Sequence, residues 1–338
     1  MPILYSVIIP VYNAGHFFSA VLNSVPPDLG EDFEIILVND CSTDDTEKVI
    51  GSHPIFSRIR YFKTEKNSGP STARNMGASK AEGQFLIFFD ADVLFLPDTF
   101  KRLKAYVEKH PEVFCFTGIH SKKSDASSGF VSQFHSLYAY YALNLIPEGG
   151  PASTWNPRLG FVRRDLFWRL GGFDTTYRKA DVEDYALSKK IEKVTPIGFT
   201  REFEIKHRFG SFIETTRNFF KRSRQWTHLF LKTKSLDKTG HTRISNGLNL
   251  LVSFLLAVFL VLSPLFSVRK ILAFLLLTHW AVNFPLFLFF IREVGVFQAF
   301  VYLGFVLYYN WVVEFGIFVG VFETACRLLT SKRSGVRT

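Results

Sequence analysis

Over the first half of the chain, short apolar runs alternate with amphipathic stretches. Tyr5 to Pro10, Phe33 to Val38, Arg58 to Phe62, Phe85 to Phe89 and Val113 to Thr117 read as strands. Runs that are apolar at successive positions suit strands buried on both faces of a parallel sheet. Between them, Asn13 to Asn23, Thr43 to Ile50, Ser71 to Lys80 and Pro97 to His110 show helical spacing, the second behind a Ser/Thr/Asp cap region. Strands alternating with helices predict an α/β fold with a doubly wound, mostly parallel sheet flanked by helices. Further on, Arg158 to Asp174 reads as a strand, a short helix and a Gly-Gly turn. Val182 to Ile191 reads as a helix that opens on two acids.

The pattern changes after about residue 240. Residues 245 to 326 carry six charged side chains: Arg269, Lys270, Arg292, Glu293, Glu314 and Glu323. Leu248 to Val268 and Ile271 to Ile291 each have about the 20 residues that a bilayer span needs. Val296 to Cys326 is longer and holds Glu314 near its middle, where a charge is costly in lipid, so Glu314 is expected to face the bundle interior or a polar groove. Asn283 and Pro285 are placed to kink the second run. Two or three spans are therefore expected within 244–330, followed by a basic tail over 331–338 with Lys332, Arg333 and Arg337.

The formal charge of +10 is concentrated just before these runs. Residues 201 to 243 hold eleven Lys/Arg and four Asp/Glu. No nucleic-acid recognition motif accompanies them, so anionic lipid headgroups are the simpler partner. Within this stretch Phe212, Ile213, Thr216, Phe219, Phe220, Trp226 and Phe230 recur at helical spacing. Arg217, Lys221, Arg222 and Arg224 lie largely off that stripe. A basic helix with an aromatic face is the type that lies in a membrane interface, and Phe219, Phe220, Arg222, Arg224 and Trp226 are its candidate contacts. The basic flank favours the cytoplasm for the first 210 residues under the positive-inside rule. Met1 leads directly into a strand, with no secretory signal pattern. An integral protein of a prokaryotic inner or plasma membrane, with its catalytic part cytoplasmic, is expected. Cys41, Cys115 and Cys326 show no metal-ligand or redox spacing. His16, His120 and His135 have no partner that the sequence indicates.

The candidate chemistry lies at strand ends. Asp90-Ala91-Asp92 follows Phe85 to Phe89, and ligands of open α/β sheets sit outside the carboxyl ends of the strands. Carboxylates there suit Mg²⁺ or Mn²⁺ and, through the metal, a substrate's phosphates. Asp40 stands at the tip of a second strand, where it can accept a hydrogen bond from a base N–H. Arg74 offers a fork for diphosphate or base. Asn67 and Gly69 form a turn where backbone can approach a ligand.

Four segments occur in order: "SVIIPVYN" (Ser6 to Asn13), "LVNDCSTDDT" (Leu37 to Thr46), "NSGPSTARNMG" (Asn67 to Gly77) and "FFDADV" (Phe88 to Val93). Together they resemble the nucleotide-binding half of the family 2 glycosyltransferases, which have the GT-A fold, and the likeness extends over roughly residues 5 to 230. It implies a donor site at Pro10, Tyr12, Asn13, Asp40, Asn67, Gly69, Arg74 and Asp90. Asp92 matches the residue that holds Mg²⁺ or Mn²⁺ between the phosphates, with Asp90 as a second candidate ligand. Asn39 stands where the family often has a second Asp.

In the second half, Gly171-Gly172-Phe173-Asp174 and the following Glu183-Asp184 resemble the family's acceptor side. Asp184 matches the catalytic base of an inverting transfer, with Glu183 beside it as the second catalytic candidate. His207 resembles a family histidine that joins the metal or the diphosphate. Processive polysaccharide synthases of the family carry Gln-x-x-Arg-Trp on an interfacial helix. Here Trp226 follows Gln225, which argues against polymerisation. The resemblance thus implies transfer of one sugar from a nucleotide-diphospho-sugar to a lipid-linked or envelope glycan acceptor. A polyprenyl-phosphate glycosyltransferase is the alternative, and an inactive nucleotide-binding membrane scaffold the alternative from another class. A nucleotidyltransferase is disfavoured because "PVYNAGHF" lacks a Gly-rich, basic phosphate loop. No nucleic-acid partner is implied, and a homo-oligomer is compatible with the sequence.

Overall fold

The structure is a computed structural model and describes residues 4–27, 29–124, 129–177, 182–233, 244–264 and 267–334. It divides into two units, Met1–Phe209 and Gly210–Thr338. The linker 234–243 and the end of the basic tail, including Arg337, lie outside the described residues.

The first unit runs β1 (Tyr5–Val11), α1 (Gly15–Ser24), β2 (Phe33–Asn39), α2 (Thr46–Ser52), β3 (Ile59–Lys63), α3 (Pro70–Lys80), β4 (Phe85–Phe88), β5 (Val93–Phe95), α4 (Thr99–Lys109), β6 (Cys115–His120), α5 (Phe130–Asn144), β7 (Pro151–Ala152), β8 (Gly160–Arg163), α6 (Arg164–Arg169), α7 (Glu183–Glu192) and β9 (Ile197–His207). The sheet order is β3-β2-β1-β4-β8-β6-β9-β5, with β7 also on β9. The expected parallel arrangement holds for β3, β2, β1 and β4. Beyond β4 the sheet is mixed: β8 is antiparallel to both β4 and β6, β6 and β9 are parallel, and β5 is antiparallel to β9.

The central strands are apolar throughout because both of their faces are covered. Val7, Ile9, Ile35, Leu37, Phe85 and Ile87 join one core layer. Ile8, Ile36, Val38, Leu86 and Phe88 join the other, together with Ala73 and Ala78 of α3. Fully burying each such side chain contributes about 1.5–3 kcal/mol. Asn13, expected to begin the first helix, instead takes a left-handed conformation, φ 50°. Its Oδ1 accepts from the Thr43 N–H at 2.8 Å, which ties the loop after β1 to the loop after β2.

The second unit is helical: α8 (Phe212–Thr233), α9 (Ile244–Leu262), α10 (Arg269–Val282), α11 (Phe284–Val294) and α12 (Val296–Ser334). Among the described residues, Val296–Arg327 is the helix long and apolar enough to cross a membrane by itself. α10 and α11 together make a second candidate, bent by 64° at the break. That bend falls at Asn283, where the sequence predicts a kink. Asn283 and Asn249 are buried and exchange amide hydrogen bonds of 2.9 and 3.0 Å, and Pro285 occupies the first turn of α11. Glu314 faces α9, where it accepts a hydrogen bond from Ser253.

The aromatic stripe of α8 packs on α12, and the two helices run in the same direction. Phe212 stacks on Tyr308 at 5.1 Å, Phe219 meets Tyr309 at 4.9 Å, and Phe220 meets Phe315 at 5.5 Å. At the far end His228 contacts Thr324 at 2.8 Å and Glu323 at 2.9 Å. Close approach is permitted by small residues, as is common between apolar helices. A Cβ at Gly316 would lie 2.7 Å from the Phe220 carbonyl oxygen, and one at Gly320 would lie 2.9 Å from Thr227 Cβ. Overpacking of this kind typically costs about 1–3 kcal/mol. Gly316→Leu is therefore expected to lower the apparent melting temperature of the detergent-purified protein. Gly304→Leu on the same helix, where a Cβ meets nothing within 4 Å, should leave it unchanged.

Candidate active site

The parallel strands deliver their carboxyl ends to one edge of the sheet. Val11 at the end of β1 lies opposite Asn39 at the end of β2, and Ile8 lies opposite Phe88 of β4. Strand order reverses between β1 and β4, so a crevice opens beyond these ends. Pro10 is buried within β1, Tyr12 just past it is exposed, and Asn67 is exposed on the loop before α3.

Asp40 follows β2 and is buried. Its carboxylate accepts from Thr64 Oγ1 at 2.8 Å, from the Ser68 N–H at 3.0 Å and from the Gly69 N–H at 2.7 Å. It thereby shapes the Asn67–Gly69 turn as well as standing at the crevice. Asn39, the departure from the family's second Asp, donates to Tyr61 Oη at 2.9 Å and accepts from the Ser42 N–H at 2.9 Å.

Arg74, on α3, is also buried, and its fork is engaged within the protein. One arm donates to Asp90 at 2.6 Å and the other to Glu183 at 3.0 Å. The guanidinium lies 5.3 Å from the Phe173 ring centroid. Burial opposes the charge on Asp90, but Arg74 and then Arg158 outweigh it and hold the carboxyl down to about 2. Arg74 thus links α3, the Asp-x-Asp turn and the first residue of α7.

His207 reaches the same place through sheet register. Val93 of β5 pairs with His207 of β9, and the Arg208 N–H donates to the Asp92 carbonyl at 2.9 Å. His207 Nε2 consequently lies 3.3 Å from Asp92 Oδ2. Arg158, just ahead of β8, joins the cluster. Its Nη1 is 2.8 Å from His207 Nε2 and its Nε is 3.8 Å from Asp90 Oδ2.

In the Gly-Gly turn, Gly172 takes φ +65° and a Cβ there would meet Asn75 Oδ1 at 2.8 Å. Asn75 of α3 grips the turn by two bonds, donating to the Phe173 carbonyl at 2.8 Å and accepting its N–H at 3.0 Å. Gly171 is exposed, and Asp174 folds onto Thr176, accepting from its N–H at 2.9 Å and its Oγ1 at 2.7 Å. Asp184 is half-buried in the first turn of α7. Ser188 of α7 donates to the Asp184 carbonyl at 2.7 Å and accepts from the Trp155 N–H at 2.9 Å, which anchors the helix to buried Trp155.

Arg158, Asn75 and Trp155 were not singled out from the sequence. Their parts depend on contacts between distant segments, and an isolated Arg, Asn or Trp carries no local signal. His120 also enters, with its ring 5.7 Å from that of His207. His135 packs on Phe209 at 5.4 Å, and burial holds it down to about 4.

Among the described residues, no three His, Cys, Asp or Glu side chains cluster closely enough to hold a metal alone. Mg²⁺ sites commonly use one or two protein carboxylates and leave the rest to water and substrate phosphates. Asp92 and His207 fit that mode. Asp92 Oδ1 is buried without a hydrogen-bond partner, so this carboxylate is incompletely satisfied by the protein itself.

The family described as Glycosyl transferase family 2 matches residues 6–173, and the chain belongs to it. An uncharacterized glycosyltransferase of Rickettsia felis is 33% identical over 143 residues, 42% of this chain and 23% of that protein. The Staphylococcus aureus poly(ribitol-phosphate) beta-N-acetylglucosaminyltransferase TarS is 34% identical over 109 residues, 31% of this chain and 19% of that protein. The chain thus spans less than a quarter of the length of these two relatives. Mannosyltransferase PcManGT of Pyrobaculum calidifontis, solved with GDP-Man and Mn²⁺, shares the fold with a TM-score of 0.56 and 19% identity, over 92% of this chain and 87% of that one. The family match ends at Phe173, ahead of Glu183, Asp184 and His207.

Proposed function

We propose that this protein transfers one sugar, with inversion, from a nucleotide-diphospho-sugar to a lipid-linked or envelope glycan acceptor at a membrane. The observation that carries this reading is the convergence of Asp90, Asp92, His207 and Glu183 on one cluster beside the carboxyl end of β4, with Asp184 next to Glu183 in the first turn of α7. Asp40, with the Asn67–Gly69 turn it shapes, bounds the base and ribose side, along with Pro10, Tyr12 and Asn13. Asp92 and His207 would hold a divalent cation, Mg²⁺ or Mn²⁺, for the donor diphosphate. Such an ion neutralises charge on the departing diphosphate.

Asp184 takes the proton of the acceptor hydroxyl as its oxygen attacks the anomeric carbon from the face opposite the diphosphate. Glu183 does not act on substrate in this account. Its carboxylate holds the start of α7 to Arg74 and so fixes where Asp184 stands. Gly171 to Asp174 line the acceptor side, positioned by Asn75. The apolar helices of the second unit and the exposed Arg217, Lys221 and Arg222 of α8 support anchoring in an anionic membrane. TarS, named for transfer onto poly(ribitol-phosphate), supports an acceptor of the envelope class.

The test is transfer of radiolabelled sugar by the full chain in detergent, from UDP-, GDP- and dTDP-sugars, with membrane lipid extract and Mn²⁺. Label moving into lipid or polymer with an inverted linkage supports the reading. Label found only on a lipid monophosphate would favour a polyprenyl-phosphate glycosyltransferase. Donor binding without transfer to any acceptor fraction would favour a scaffold.

A further inference from the structure

Two groups compete for one nitrogen in the site. His207 Nε2 lies 2.8 Å from Arg158 Nη1 and 3.3 Å from Asp92 Oδ2. An imidazole nitrogen can accept from a guanidinium or donate to a carboxylate, but not both in one protonation state. The guanidinium is always a donor. At 2.8 Å its partner must therefore be the Nε2 lone pair. That lone pair is also what His207 would offer a divalent cation.

The geometry points to Arg158 as a residue that exchanges partners when the donor site fills. In this structure Arg158 caps the His207 lone pair. When that lone pair is used by a cation, Arg158 Nη1 loses its acceptor and turns to the diphosphate that the same cation would hold. Arg158 is suited to the exchange. Its side chain is 17% exposed, and its contact to Asp90 is a loose 3.8 Å. Asn156 Oδ1 accepts from both its backbone N–H at 3.2 Å and its Nε at 3.3 Å, so the stem is held while the terminal nitrogens remain free to turn. Arg74 cannot substitute, since both of its arms are held by buried or half-buried carboxylates at 2.6 and 3.0 Å. A guanidinium is matched to phosphate oxygens through paired N–H bonds. This inference rests on the reading of Asp92 and His207 as the metal-side pair and adds to it a cationic contact to the leaving group.

The consequence is a pair of effects of opposite sign. Removing Arg158 frees the His207 lone pair and should tighten binding of the cation alone. The same change removes a diphosphate contact and should weaken binding of the nucleoside diphosphate. A residue with only a structural part would weaken both together.

The experiment is calorimetric titration of the detergent-purified full chain, first with Mn²⁺ alone. It is then repeated at saturating Mn²⁺ with whichever of UDP, GDP or dTDP the wild type binds. For Arg158→Ala the expected result is severalfold tighter Mn²⁺ binding and about tenfold weaker nucleotide binding, the scale of one charged hydrogen bond. Arg158→Lys, which keeps the charge but not the fork, should fall between. Weaker or unchanged Mn²⁺ binding in Arg158→Ala, with an unaltered melting temperature, would overturn the exchange. Should Arg158→Ala melt early, Arg158→Lys decides by the same signs. Failure of the underlying reading looks different: Mn²⁺ binding by the wild type that survives both Asp92→Asn and His207→Ala would remove the metal-side pair itself.

Discussion

Replacing Asp184 by Asn is expected to lower the rate of sugar transfer by about 10²- to 10⁴-fold, the usual contribution of a positioned general base. Asn keeps the size of the side chain and its oxygen for the Tyr185 N–H, which Asp184 accepts at 2.7 Å. What it loses is the capacity to take a proton. The first turn of α7 should remain in place, because Ser188 holds it to Trp155 and Glu183 holds it to Arg74. Nucleotide-sugar affinity should therefore be unchanged within about the few tenths of a kcal/mol typical of a surface substitution. Single-turnover transfer and equilibrium donor binding, measured side by side, separate the two. Equal loss of both would mean that Asp184 supports the fold of the site instead of its chemistry.

Arg74→Ala is expected to act on stability as well as on activity. The side chain is 5% exposed, and it neutralises Asp90, whose side chain is 27% exposed, and Glu183, which is 6% exposed. Removing one member of a buried ion pair strands its partner and typically costs about 3–5 kcal/mol. Here two carboxylates lose their cation, and the face of Phe173 loses its cover. For a domain of this size each kcal/mol corresponds to about 2–4 °C, so an apparent melting temperature lower by about 10 °C is expected. Glu183→Gln leaves a hydrogen-bonding group against Arg74 and should cost less. If Arg74→Ala melted like the wild type and lost only donor affinity, Arg74 would be a direct donor ligand, as its motif implies.

The parts of this molecule that were legible in the sequence are those whose surroundings are uniform. β1, β2 and β4 are covered by apolar layers on both faces, so their residues are apolar at successive positions and stand out. The Asp-x-Asp turn, the Asn-x-Gly loop and the Gly-Gly-Phe-Asp turn are local in sequence, and their residue types mark them even though side chains from elsewhere, Asp40 and Asn75, hold two of them in place. The mixed half of the sheet is different. β8, β6, β9 and β5 are ordered by contacts across as many as 114 residues, Val93 to His207 among them, and no periodicity records which strand lies beside which. The same limitation hid Arg158 and Asn75, and it also concealed the partners of Arg74. A fork that reads as free for a ligand is, in the folded chain, the tie between α3 and α7. On α8 the aromatic stripe was visible, but its partner α12, nearly 100 residues later, was not. The Gly316 and Gly320 positions that admit α8 look like ordinary residues of an apolar helix until Ser223 and Thr227 are set against them.

The central claim is that one cluster binds a nucleotide-diphospho-sugar and turns it over through Asp92 and Asp184. Nucleoside-diphosphate release by the detergent-purified full chain, across UDP-, GDP- and dTDP-sugars with Mn²⁺ or Mg²⁺ and added membrane lipid, tests it most directly. The predicted result is release from one donor class that requires the metal and is lost in both Asp92→Asn and Asp184→Asn, with both variants melting like the wild type. Release that persists in either folded variant would contradict the assignment of that residue, and pyrophosphate in place of nucleoside diphosphate would contradict the reaction itself.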